Sequence, residues 1–392
     1  MKTITLTISD ETLRDGEQQV GLCFAPETKQ TLAHLIAQTG VQQIALMPAI
    51  HPTEVQLVKT LISEGLSDRI AASTMMARQF IDQSQACGVR QIILFHAVSD
   101  RLLFLRDPDI SADLTYRGQT IDADIPPSIR QRIRTNMLHK VLEHLRYATK
   151  QGLSICFAAE DASRADFDFL VQCIQSFAPY LKQFFLCDTL GILTPEKTFV
   201  WIHDLLQSTQ DTPLAVHFHN DMGLALENTI QAVLAGATGI SGTFGGIGER
   251  SGNAALEQVL NGLRLRFGWE VAGIDYDALT QVTCYLEQRG IRANPPYSPA
   301  AQRHEAGIHV HSLLRDRQSY AIFPHSQPEI WFGKCSGASN FQYLFEFCLH
   351  QPLTRAQYEQ LSVALKSIAI RENRSFSLEE VLQMLHRGIL TI

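Results

Sequence analysis

The 392-residue chain has eight cysteines but no C-x-x-C pair, so no paired-thiol motif is present. Cys23, Cys87, Cys156, Cys173, Cys187, Cys284, Cys335 and Cys348 are scattered, mostly in apolar surroundings, like small buried hydrophobes. This usage predicts a reduced, cytoplasmic compartment. No uninterrupted apolar stretch is long enough to cross a bilayer. The opening "MKTITLTISD" lacks the apolar core of a secretory leader and reads as a strand. No Lys/Arg run stands out, and a net charge of −7 argues against nucleic-acid or anionic-membrane partners. Low-complexity tracts are also missing. What remains is ordinary for a soluble globular protein: 45% hydrophobic and 19% charged residues. The length favours one large domain plus a smaller unit.

Short β-rich runs recur, each followed by a longer amphipathic segment. They are "TITLTIS" (3–9), "QQIALM" (42–47), "RIAASTMM" (69–76), "QIILFHAVS" (91–99), "LSICFAAE" (153–160), "QFFLCDT" (183–189), "LAVHFHN" (214–220) and "GISGTF" (239–244). Strand–helix alternation implies parallel βα units, and eight of them match a (β/α)8 TIM barrel. A doubly wound open sheet is the competing arrangement. The barrel is expected over residues 1–268. A smaller, mainly helical C-terminal region is expected over 269–392, its last helices opened by capping boxes at Thr354/Gln357 and Ser377/Glu380.

Barrel sites lie at the C-terminal ends of strands. Here strand one leads into "DETLRDGEQQ", strand five into "AAEDASR", strand six into "CDTLG", strand seven into "HFHND" and strand eight into "GGIGERSGN". In a strand, residues i and i+2 share a face, so His217 and His219 project together. Strands one and seven flank strand eight in a closed barrel, which lets Asp15 supply a neighbouring carboxylate. Asn253, after strand eight, can add an amide oxygen. Two imidazoles, one carboxylate and an amide, with no thiolate, suit Zn²⁺, Mn²⁺ or Mg²⁺ with open positions. The competing readings are two core histidines satisfied by backbone, and an iron oxygenase triad, which belongs more to β-rich folds. "GGIGER" is neither G-x-G-x-x-G nor a Walker motif. It reads as a tight turn carrying Glu249 and Arg250 toward the mouth.

At these residues the chain resembles the metal-dependent condensing enzymes that join an acyl-CoA to a 2-oxo acid: the homocitrate, isopropylmalate and citramalate synthases. Their wider barrel family, with a pyruvate carboxyltransferase-like catalytic barrel, includes 3-hydroxy-3-methylglutaryl-CoA lyase. The matching segments are "ETLRDGEQ", "EDASRADFDFL", "CDTLGILTP", "HFHNDMGLALENT", "GGIGERSGNAALE" and "HEAGIHVHSLLRD". "EDASRAD" with "HEAGIHV" looks most like homocitrate synthases of the nitrogen-fixation type. The resemblance implies a divalent metal (Zn, Mn or Mg) on Asp15, His217, His219 and Asn253, with acetyl-CoA and a 2-oxo acid as substrates. It places Arg14 at the ketone oxygen, with Gln18 also at the substrate, Glu160 at the metal-bound water and Thr189 at the substrate carboxylate. His309 and Tyr320 are implied to reach the site from the partner subunit of a homodimer. Without the resemblance, Glu160 reads as an interior ion pair with Arg14, and His309 as a surface histidine.

The chemistry suits these residue types. A metal and Arg14 offset the alkoxide charge that develops on the ketone, and a histidine poised near neutrality takes a proton from the acetyl methyl group. The implied reaction is acetyl-CoA plus 2-oxoglutarate giving homocitrate. The alternatives are the same chemistry on oxaloacetate, pyruvate, 2-oxoisovalerate or a specialised oxo acid, a metal-dependent lyase, and a non-catalytic relative. Three positions depart from the family pattern. Strand two ends in Ala45-Leu46-Met47 where a glutamate is common, Cys335 replaces a usual histidine, and His311 stands where an aspartate is common. Strand two faces the oxo-acid pocket, so the first departure bears on the acceptor more than on the metal or the acyl-CoA.

Overall fold

A computed structural model describes residues 1–111, 125–209, 212–321 and 327–391. Eight parallel strands close into a barrel: β1 (Thr7–Asp10), β2 (Gln43–Leu46), β3 (Ile70–Met75), β4 (Gln91–Ala97), β5 (Ser154–Glu160), β6 (Gln183–Asp188), β7 (Leu214–Phe218) and β8 (Gly239–Gly242). Ring closure comes from β1, which pairs with β2 on one side and with β8 on the other, Ile8 lying opposite Ile240. All eight expected runs form strands, so the open-sheet alternative is excluded.

The first run is two elements instead of one. Lys2–Ile4 pairs in parallel with Trp269–Val271, outside the barrel, before Thr7 enters the ring. The run's alternation continues through both pieces, so periodicity alone cannot show that the chain changes partners between them.

Each helix follows from a stripe and a cap. Phe167–Phe177 starts where the Asp166 carboxylate accepts from the Phe169 N–H. It buries Phe169, Leu170, Cys173, Ile174 and Phe177, one face at helical spacing. Phe177 then meets Phe157 of β5 edge-on, at 5.1 Å between ring centroids, and Phe157 meets Phe184 of β6 at 5.4 Å. These rings fill the layer between sheet and helices. Inside the ring a separate small cluster of Ala45, Ala71, Ile93, Cys156, Phe185, Cys187 and Ala215 plugs the barrel axis. Small residues dominate this cluster.

The C-terminal region covers the mouth of the barrel. Tyr276–Gln288 packs against the Pro26–Gln38 helix, and the chain then runs back over the barrel loops. There the Gln19 amide donates to the Arg292 carbonyl at 2.8 Å, and the Asn294 amide donates to the Arg250 carbonyl at 2.9 Å. The short helix Gly307–Leu313 follows. Both expected capping boxes form, opening Arg355–Glu372 and Leu378–His386. A buried quartet joins the two parts. Lys334 Nζ lies 2.8 Å from Glu17 and 2.7 Å from Glu54, and Lys29 Nζ contacts the same two carboxylates at 2.8 and 2.7 Å. Among the described residues no helix is long and apolar enough to cross a membrane. All eight cysteines are free thiols, five of them buried.

Candidate metal and acid–base site at the barrel mouth

His217 is the penultimate residue of β7, and His219 lies just past the strand's end, bridged to Asn253. Their rings stand nearly perpendicular with centroids 5.1 Å apart. Asp15 opens the turn after β1, and its Oδ2 is 3.7 Å from His217 Nε2 and 4.0 Å from His219 Nε2. These separations are too long for hydrogen bonds. They match ligand atoms sharing one cation, since metal–ligand distances near 2.1 Å put neighbouring donors about 3–4 Å apart. Among the described residues, Asp15, His217 and His219 form the one group of three whose ligand atoms converge within 4.8 Å.

Asn253 completes the set. Its Nδ2 donates to Asp15 Oδ1 at 2.8 Å and to the Ile247 carbonyl at 3.1 Å, while its Oδ1 is buried without a partner. A buried amide oxygen left unpaired is costly unless something else is meant to meet it. The Ser241 hydroxyl fixes His217 through Nδ1 at 3.0 Å, leaving Nε2 toward Asp15. Burial works to raise the Asp15 pKa, but Arg14 and the two histidines outweigh it and hold the carboxyl well below its ordinary range. Burial, with Arg250 nearby, keeps His219 well below the usual imidazole value and therefore neutral, despite Asp15. A carboxylate, two neutral-capable imidazoles and a free amide oxygen fit a divalent cation. Gly248 makes room for them: at φ +149°, a Cβ there would sit 2.1 Å from Asn253 Nδ2 and 2.7 Å from Asp15 Oδ1.

A second set of groups lies beside this cluster. The Glu249 N–H faces Asp15 Oδ1 at 3.4 Å, and Glu249 Oε1 lies 2.6 Å from His309 Nδ1. His309 stacks on Tyr320 with centroids 4.1 Å apart. The Tyr320 hydroxyl donates a short hydrogen bond to Glu160. Arg106 holds Glu160 through two nitrogens, at 2.5 and 2.8 Å, and donates to Tyr320 at 2.7 Å. Burial pushes Glu160 up, but Arg106 overrides it and sets the carboxyl at about 2. Burial drives the Tyr320 hydroxyl well above its ordinary value, against the pull of Arg106, so it stays a donor. Contacts thus run without a break from Asp15 to Glu160 across the mouth.

Two readings from the sequence change here. Glu160 pairs with Arg106, not Arg14; Arg14 is held by Glu11 at 2.6 Å and Asp15 at 3.0 Å. His309 is buried, not at the surface. Within the chain, His309 and Tyr320 stand at the mouth of the same barrel, with Arg292 and Asn294 contacts tethering the crossing segment to its loops. Thr189 is buried at the end of β6, and its hydroxyl oxygen accepts from the Asp161 N–H at 2.8 Å. Its hydroxyl hydrogen is left to donate. Gln18 ends the short turn after Asp15, half-buried. The glycine-rich turn does carry Glu249 and Arg250 inward, Arg250 forking onto Asp221 at 2.8 and 3.0 Å. Arg106 and Ser241 lie in no motif that singles them out; only the register and the helix after β4 bring them in.

The HMGL-like family model matches residues 5–112 and 127–284. Among curated relatives, a homocitrate synthase, AksA, of Methanothermobacter thermautotrophicus is 32% identical over 85% of this chain and 81% of its own length. A 2-isopropylmalate synthase of Sulfurisphaera tokodaii is 33% identical over 86% and 84% of the two chains. Among solved structures, an HMG-CoA lyase of Bacillus subtilis superposes with a TM-score of 0.57 at 19% identity. That match covers 77% of this chain and 99% of the other, and it speaks to the fold alone.

Proposed function

The chain belongs to the HMGL-like family, and from that premise we propose that it is an acyltransferase condensing acetyl-CoA with a 2-oxo acid. The observation that carries the reading is the continuity of the mouth. A metal-ligating set of Asp15, His217, His219 and Asn253 stands within reach of an imidazole–carboxylate pair, His309–Glu249. Condensation needs both functions at once, since one polarises a ketone while the other makes a carbon nucleophile.

A divalent metal on those four residues supplies Lewis-acid polarisation of the ketone. The remaining work falls to the chain's own side chains. Arg14, locked by Glu11 and Asp15, directs its guanidinium charge at the oxygen that gains negative character. His309, oriented by Glu249, takes a proton from the acetyl methyl group, and the resulting carbon attacks the ketone. Water then cleaves the thioester, releasing free CoA thiol. Glu160, ionised and held by Arg106 and Tyr320, positions that water as an acceptor. Thr189 donates its hydroxyl hydrogen to the substrate carboxylate.

Metal-dependent thiol release from acetyl-CoA across a panel of 2-oxo acids, abolished in His217→Ala, is the expected result. Silence with every acid, in protein shown to hold metal, would refute it. The resemblance puts 2-oxoglutarate first among acceptors, and the same panel tests that choice. It also implies a cytoplasmic homodimer. Because His309 and Tyr320 reach their own barrel, specific activity is expected to stay constant on dilution through any dimer dissociation.

A further inference from the structure

The two sides of the barrel mouth differ in chemistry. Ligating and charged groups come from β1, β7, β8 and their following turns: Asp15, Arg14, His217, His219 and Asn253. Strands β2 to β5 present something else below Glu160, the charged last residue of β5. Ala45, Ala71, Ile93 and Cys156 belong to the cluster on the barrel axis, so the residues two further along face inward one level higher. Two past Ala45, Ile93 and Cys156 stand Met47, Phe95 and Ala158; two past Ala71 stands Ser73, buried, and Met75 follows two beyond it on the same face. Parallel register puts Met75 beside Phe95 and Phe95 beside Ala158, an apolar strip across β3 to β5, while Met47 stands level with Ser73. Met47, Met75, Phe95 and Ala158 are half-buried, while the outward-facing Leu46, Thr74, Leu94, Phe157 and Ala159 are buried under the helices and His96 is half-buried. The accessible surface of the four inward side chains opens into the mouth. All four are apolar, and the Ser73 beside them is 3% exposed.

A 2-oxo acid anchored by its carboxylate and ketone at the polar side must extend its remaining substituent toward this wall. A second carboxylate there is best met by a cation, and among the described residues the arginines of the segments following β1, β4, β5 and β8 that face the mouth already carry carboxylates. Arg14 holds Glu11 and Asp15, Arg106 holds Glu160 through both fork nitrogens, Arg164 holds Asp161, and Arg250 holds Asp221. Using Arg106 for substrate would strip Glu160 and Tyr320 of their shared partner. An apolar substituent meets no such conflict and gains from contact with two thioethers and a ring.

We propose that the acceptor of this enzyme is a 2-oxo acid with an apolar side chain, received by the wall of Met47, Met75, Phe95 and Ala158, and not a dicarboxylic oxo acid. The inference rests on the condensation reading above and replaces 2-oxoglutarate as its acceptor.

The test uses full-length protein loaded with Mn²⁺. Thiol release from acetyl-CoA and calorimetric binding are measured in parallel for pyruvate, 2-oxobutyrate, 2-oxoisovalerate, oxaloacetate and 2-oxoglutarate. Expected is a kcat/KM for the best monocarboxylic acid about a hundredfold or more above either dicarboxylic acid, with the same ranking in Kd. Phe95→Leu is expected to reorder the monocarboxylic acids by roughly tenfold. A dicarboxylic acid that equals or exceeds them in either assay overturns the proposal, as does an unchanged ranking in folded Phe95→Leu. Absence of thiol release with selective binding of apolar acids would remove the condensation reading and leave the wall's role standing. Absence of both removes the two together.

Discussion

Replacing Lys334 by Met tests whether the C-terminal region is held to the barrel by charge as well as by packing. Lys334, Lys29, Glu17 and Glu54 form a neutral buried set, with each ammonium touching both carboxylates. Their side chains are 2–5% exposed, so water cannot take over a lost partner. Met fills much of the lysine's volume but leaves two carboxylates sharing one ammonium. Breaking a buried pair from one side costs about 3–5 kcal/mol, and that is the expected loss from urea unfolding at pH 7. Removing one charge of each sign, in Lys334→Met with Glu54→Gln, should recover at least ~2 kcal/mol, because the buried set is neutral again. The pH dependence supplies an independent check. Burial acts to raise the Glu54 pKa, yet Lys29 and Lys334 outweigh it and bring the carboxyl to about 2. A carboxyl depressed on folding contributes stability that is complete above its unfolded value, near 4.5, and is lost as pH falls toward 2. The gap between wild type and Lys334→Met should therefore narrow by about 1 kcal/mol or more between pH 7 and pH 4. A single-variant loss below about 1 kcal/mol, or a double variant no better than the single, would refute the reasoning.

Other outcomes follow from the mouth. His217→Ala should lower divalent-metal affinity at least a hundredfold by calorimetry while the far-UV spectrum is unchanged, since second-shell changes alone reach that range. Gly248→Ala forces a Cβ onto Asn253 and Asp15 at a φ of +149°. It should cost about 1–3 kcal/mol in unfolding free energy and weaken metal binding in the same titration. Glu249→Gln should cut kcat by about 10²–10⁴ with metal affinity within a few-fold of wild type, as expected of a group that orients a base. Equal losses of metal and kcat would mean that it acts through Asp15 instead.

What was legible in the sequence was local and periodic. β-rich runs alternating with amphipathic segments gave the eight strands, and S/T-x-x-E/Q gave both C-terminal capping boxes at Thr354 and Ser377. The H-x-H pair was readable because strand period fixes its face, and Asp15 because barrel closure fixes which strands adjoin. Pairings between charges far apart in the chain were not readable. Glu160 meets Arg106 and Lys334 meets Glu17 through tertiary placement, and no spacing rule encodes such partners. The path of residues 289–298 back over the mouth was hidden for the same reason: side-chain amides of Gln19 and Asn294 fix it, and neither belongs to a motif. Chemistry of the acceptor wall was visible only in part. Strand two showed its departure at Ala45-Leu46-Met47, but the register of Met75, Phe95 and Ala158 was needed to show the apolar strip on the neighbouring strands.

The arrival of His309 and Tyr320 from beyond the barrel sets an order of events during synthesis. Ring closure needs nothing after β8, and the last of the proposed metal ligands is Asn253. A chain growing from its N-terminus therefore completes the proposed cation cage tens of residues before the proposed proton acceptor, His309, is made. The imidazole comes next, and Lys334, which ties the late region down, comes after that. On the proposed roles, reactivity toward a thioester is the final property the molecule acquires, after the barrel and its cation ligands are complete.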